Sequence, residues 1–182
     1  MGMIEFAGET GQTVEHDWIS APFITPPESA GAYLDAVVLG RTVAWSENRF
    51  GRKVGAKDAA TTPPVLETDV LLCEHARSGI PFRLAVRGAG LVSGLCRHVK
   101  DIDWPRGGNE PKERPAPVMF DVPILISIRC TGTRKADVFE YLNYSVGEVI
   151  CDDVDAFVAD YRRKCAGNPD AAEYEPDNEI PF

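Results

Sequence analysis

Between Val118 and Cys130 every even-numbered residue is apolar: Val118, Phe120, Val122, Ile124, Ile126, Ile128 and Cys130. The odd positions include Asp121, Ser127 and Arg129. A strict period of two sends alternate side chains to opposite faces, so this run predicts a strand with one face in a core. Pro123 has no amide hydrogen to donate, which confines the first half of the run to an edge or a bulge. Thr131-Gly132-Thr133 reads as a turn, and Asp137 to Ile150 as a returning strand that carries Phe139, Tyr141 and Tyr144. The pair predicts a hairpin, with Tyr141 and Tyr144 on opposite faces.

Other segments fit the same pattern. Tyr33 to Trp45 is rich in β-branched and aromatic residues, and Gly40 interrupts it where a bulge or kink would sit. Val65 to Glu74 is a second strand candidate, with a short helix from Thr68 as the alternative. In Pro81 to Arg87, Phe82, Leu84 and Val86 alternate with Arg83, Ala85 and Arg87, which predicts a strand with a basic outer face. Asp152 or Asp153 is placed to cap a helix through about Cys165, its apolar stripe being Val154, Phe157, Val158 and Tyr161. Residues 1–32 are punctuated by Gly and Pro and read as irregular. The expected fold is mainly β: an OB-fold-like barrel over residues 1–166 with one C-terminal helix, then a disordered acidic tail over 167–182.

The net charge of −9 conceals an uneven layout. Residues 1–40 hold six acids and no Lys or Arg; residues 41–135 hold sixteen bases and ten acids; residues 136–182 hold three bases and twelve acids. A basic middle between acidic ends is compatible with a nucleic-acid partner where the average is not. No apolar run is long enough to span a bilayer, and Met1-Gly2-Met3-Ile4-Glu5-Phe6 lacks the basic and apolar regions of a secretory signal. The five dispersed cysteines (Cys73, Cys96, Cys130, Cys151, Cys165) read as reduced thiols of a cytosolic protein.

The chain closes on Glu175-Pro176-Asp177-Asn178-Glu179-Ile180-Pro181-Phe182. Phe182 offers a ring and a free α-carboxylate on one residue, Pro181 favours an extended Ile180, and the acids can steer the tip to a basic-rimmed pocket. Acids followed by Ile-Pro-Phe resemble the tip of the bacterial single-stranded DNA-binding (SSB) proteins. The resemblance covers about ten residues. It implies that Asp177, Glu179, Ile180, Pro181 and Phe182 are a hook for replication, recombination and repair enzymes, and that the unoccupied tip folds back on the DNA groove. The body departs from the bacterial pattern: it lacks the strand set near residue 5 and the long Gly/Gln-rich linker. In that it is more similar to phage-encoded single-stranded DNA-binding proteins, which join a diverged OB-fold to an acidic, Phe-ending terminus. No DNA-contacting residue is carried over from either.

Sequence-blind strand binding needs cations along the phosphates and aromatic faces for the bases. Trp45, Arg49, Phe50, Arg52, Lys53 and Lys57 combine both on one candidate loop, and Trp104 and Arg106 on another. Arg83, Arg87, Arg129, Arg134 and Lys135 would line the strands between them. Two Cys-x-His pairs, Cys73/His75 and Cys96/His98, offer four zinc ligands, but the usual Cys-x₂₋₄-Cys spacing is missing, so no metal or other cofactor is expected. Gly88, Gly90 and Gly94 read as a turn and a bulge. The expectation is a non-enzymatic protein that coats single-stranded DNA in a bacterial cytoplasm or nucleoid, with a homodimer permitted and no membrane partner. Its rivals are an acidic interaction or DNA-mimic protein, and a metal-dependent nuclease using Asp101 and Asp103.

Overall fold

The structure is a computed structural model that describes residues 6–7, 13–14, 16–47, 65–136, 139–149 and 153–166. The elements are β1 (Phe6–Ala7), β2 (Thr13–Val14), β3 (Phe23–Ile24), β4 (Tyr33–Glu47), β5 (Val65–His75), β6 (Pro81–Ala85), α1 (Ala89–Leu95), β7 (Arg106–Gly108), β8 (Val118–Ala136), β9 (Phe139–Val149) and α2 (Val154–Ala166). β1 and β2 pair only with each other. The main sheet runs β3-β6-β5-β4-β8-β9, with β7 beside β5, and curls into a half-barrel. All its pairings are antiparallel except β3 with β6. Among the five long strands, the meander β4-β5-β6, a helix, then β8 and β9 with β8 paired back to β4, is the order of an OB-like barrel.

The long strands arise as their patterns predict, and β5 is strand throughout rather than helix after Thr68. Gly40 sits at a register shift between β4 and both of its neighbours. A Cβ at Gly40 would stand 2.6 Å from the Val118 carbonyl oxygen, so the bulge needs glycine. On β8 the same irregularity falls between Met119 and Ile124, and Pro123 lies within it. This is why the alternation of β8 divides: Ile126, Ile128 and Cys130 are buried, whereas Val118 and Val122 are exposed.

Two expectations are corrected. Thr131-Gly132-Thr133 is not a turn: β8 continues to Ala136, and the register slips between Cys130 and Gly132, whose φ is +129°. The glycine conformation suited to a turn serves a bulge here. Gly88 to Gly94 is not a bare turn either, since α1 occupies 89–95 and buries Leu91, Val92 and Leu95. Gly90 and Gly94 let α1 lie against β9. A Cβ on Gly90 would meet the Leu142 oxygen at 3.0 Å, and one on Gly94 would meet Val146 Cγ2 at 2.7 Å. The helix thereby covers part of the edge that β9 would otherwise leave open.

Over its middle the sheet is buried on both sides. Its inner face, under α1, packs Leu34, Val38, Leu71, Cys73, Phe82, Leu84, Ile126 and Ile128 against Leu91, Val92 and Leu95. On the outer face Val37, Leu39, Leu72 and Leu125 pack against Trp18 and Ala21 and against Val158 of α2, with Phe157 alongside. Asp153 caps α2 by accepting a hydrogen bond from the Ala156 amide at 2.9 Å. No helix among the described residues is long and apolar enough to cross a membrane.

Candidate functional site

The two ends of the long β4 strand carry different chemistry. At the end where β4 finishes and β5 begins, Trp45, Glu67 and Arg106 are cross-strand neighbours on β4, β5 and β7. Trp104, half exposed, lies two residues before Arg106. The fold therefore brings Trp45 to the same end as Trp104 and Arg106; Arg49, Phe50, Arg52, Lys53 and Lys57 lie outside the described residues.

Arg106 and Arg41 at this end are already matched. Arg106 donates to Glu67 at 2.9 Å and stands 3.9 Å from Asp103. Arg41 donates to the Asp101 carbonyl at 3.2 Å and lies within 4.0 Å of Asp69 and Asp101 carboxylates. Asp69, nearly fully buried, also accepts a hydrogen bond from the Asp103 amide at 2.8 Å. Two arginines face four acids, which is a network and not a phosphate groove. Trp45 is half-buried with its indole N–H sealed from solvent, so it packs more than it presents. Asp101 and Asp103 each have an arginine beside the carboxylate, at 3.8 and 3.9 Å.

At the opposite end Tyr33, Arg129 and Ser145 form a row across β4, β8 and β9. Beyond the bulge, Arg134 stands opposite Tyr141 and Lys135 opposite Glu140. Register and alternation put Tyr33, Arg129, Arg134 and Tyr141 on the outer face, while Tyr144, on the opposite face from Tyr141 as expected, turns inward to the core. Arg129, Arg134, Lys135 and Tyr141 are exposed, and the Arg129 guanidinium lies 5.8 Å from the Tyr33 ring centre. Sequence reading missed Tyr33, because only the register of β4 with β8 sets it beside Arg129.

Arg83 does not line a groove. Its guanidinium lies 4.0 Å from the Phe23 ring centre, and its Nε donates to the Ala21 carbonyl at 2.8 Å. Burial lowers its pKa from the ordinary value, with Asp17 partly opposing the shift. Arg87 follows β6 with an exposed side chain. On α2, Arg162 donates to the buried Glu74 at 3.0 Å and to the Ala76 carbonyl at 2.9 Å. His16 meets the other Glu74 oxygen, and its ring packs edge-on to Trp18. This buried triad fastens the N-terminal segment and α2 over β5.

The two Cys-x-His pairs are not assembled. Cys73 lies in the core, where burial pushes its thiol pKa far up. Cys96 is exposed, and its thiol donates to the Ile102 carbonyl at 3.2 Å. His98 contacts the Val146 carbonyl and Glu148 at 2.9 and 3.2 Å. Among the described residues no group of three or more His, Cys, Asp or Glu side chains is placed to hold a metal ion. Cys73, Cys96 and Cys130 are free thiols. Asp177, Glu179, Ile180, Pro181 and Phe182 lie outside the described residues. No protein-family model matches the chain, and neither the curated proteins nor the solved structures yield a match.

Proposed function

We propose that this chain is a non-enzymatic coat for single-stranded DNA in replication or recombination, and that its acidic tip engages the enzymes that act on that DNA. The observation that carries the reading is where the basic residues fall in the strand order. OB-type barrels hold oligonucleotides with the connections after their first and fourth strands. In this chain those connections are residues 48–64, holding Arg49, Phe50, Arg52, Lys53 and Lys57, and the β8–β9 junction, flanked by Arg134 and Lys135. The end of α2 lends support. Arg162 ties α2 to the turn after β5, and the Ala76 amide donates to the Asp35 carbonyl, two residues from Tyr33. Arg162, one turn before the end of α2, therefore sits toward the end of the sheet that carries Arg129, and a further sixteen residues of extended chain would span about 55 Å.

The test is anisotropy of a labelled oligo-dT titrated with the full chain at several salt concentrations. Each neutralised phosphate contributes about −0.7 to the slope of log K against log salt, so a slope near −3 or steeper is expected. The oligonucleotide should remain intact with Mg²⁺ or Mn²⁺ present. Absent binding, or cleavage, would refute the proposal.

A further inference from the structure

In an OB-type barrel the strand-binding surface is the outer face of the second and third strands, here β5 and β6. In this protein that face is covered. Trp18 and Ala21 pack over Leu72, Val158 of α2 packs in the same cluster, and Arg83 on β6 is taken up by Phe23 and the Ala21 carbonyl. The cover is fastened by His16 and Arg162 on the buried Glu74. Opening it would strand a buried carboxylate and expose an apolar surface, so a nucleic acid does not gain access there cheaply.

Further along, on the β8–β9 hairpin, neither the segment around Trp18 nor α2 is among the residues packed on that outer face. Arg129 and Arg134 project from it with Tyr33 and Tyr141, and no carboxylate belongs to the cross-strand rows between Tyr33 and Tyr141 on that face. Among the described residues the nearest acid in these rows is Asp35, one row inward at Ser127. A Cβ added at Gly132 or Gly147 would meet nothing within 4 Å, so the surface between the side chains is open. Tyr141 and Ser145 are four residues apart, about 13 Å along β9, which puts the two rings at different bases. Cations alternating with aromatic faces are what a single strand requires and a duplex does not.

We infer that single-stranded DNA runs along the outer face of the β8–β9 hairpin, over Tyr33 and Tyr141 and between Arg129 and Arg134, and not across β5 and β6. The inference rests on the proposed strand-coating function, and its test separates the two. Anisotropy with labelled dT₃₀ is measured for the wild type, for Arg129→Ser/Arg134→Ser and for Tyr141→Leu, with Trp104→Ala as a variant at the other end. The double arginine variant should reduce the magnitude of the salt slope by about 1.4, two contacts at 0.7 each. Tyr141→Leu should weaken binding about 5- to 150-fold. Tyr33→Leu should act alike, with circular dichroism checking its fold, since Tyr33 is half-buried. Photo-crosslinking to iodo-uracil oligonucleotides should mark Tyr33 or Tyr141. A wild type that ignores dT₃₀ overturns both readings. A wild type that binds, with hairpin variants that bind equally well or crosslinks on residues 16–27, overturns the path alone.

Discussion

Arg162→Ala tests how the helix and the N-terminal segment are held on the sheet. The Glu74 side chain is only 5% exposed, and it receives His16 on one oxygen and Arg162 on the other. Removing the guanidinium deletes a charge-assisted hydrogen bond, one carbonyl contact at Ala76, and the packing of the guanidinium on Gly79. A fully buried pair broken this way costs about 3–5 kcal/mol. Arg162 is 34% exposed, so water replaces part of what is lost, and about 2–3 kcal/mol is expected. In a chain of this size that lowers Tm by about 4–12 °C. Urea and thermal unfolding followed by circular dichroism measure it, and a double-mutant cycle with Glu74→Gln isolates the pair from lost packing. A loss below about 0.5 kcal/mol, the level of an exposed ion pair, would show that the triad does not fasten the cover.

Deleting residues 170–182 should tighten dT₃₀ binding about 2- to 10-fold at low salt, because a tethered polyanion competes at millimolar effective concentration; the gain should fade as salt rises. An unchanged affinity at low salt would contradict the competition. Gly40→Ala should cost about 1–3 kcal/mol, since the new Cβ meets a backbone oxygen that cannot move without breaking the β4–β8 pairing; urea unfolding that matches wild type would refute this. Iodoacetamide at pH 8 should label Cys96 in the native protein and reach Cys73 only after unfolding, because burial raises the Cys73 thiol pKa; mass spectrometry of native Cys73 adducts is the opposing result.

The strands were legible because their cues are local. Gly40 within a β-branched run marks a bulge, Pro123 forbids a paired position, and Asp153 announces α2, all without knowledge of distant residues. Helix α1 was not legible for the opposite reason. Ala89 to Leu95 holds two interior glycines, each costing about 1 kcal/mol of helix propensity, and so reads as a turn. What reverses the balance is contact with Leu142, Tyr144 and Val146, some fifty residues on, where any side chain larger than hydrogen would collide. Gly132 shows the limit of composition, since the glycine conformation that closes a turn also makes a bulge, and only pairing with β9 distinguishes them.

For the candidate site, alternation gives the direction of a side chain but not what lies over it. Arg83 points outward as its strand pattern requires, yet Phe23 and Ala21 receive it there. Arg41 and Arg106 are likewise matched to acids, and on α2 Arg162 is matched to Glu74. Counting bases along the chain therefore overstates the charge available to a phosphate. A positive charge already neutralised inside the fold releases no counterion when DNA arrives, so it adds nothing to the salt dependence of binding. Arg129 and Arg134 differ because β8 carries them to and past the first residue of β4, where the described acids in the rows of their face stop at Asp35. The bulge at Thr131 carries β8 through an apparent turn to Ala136 and shifts the alternation by one residue, which sets Arg134 on the same face as Arg129.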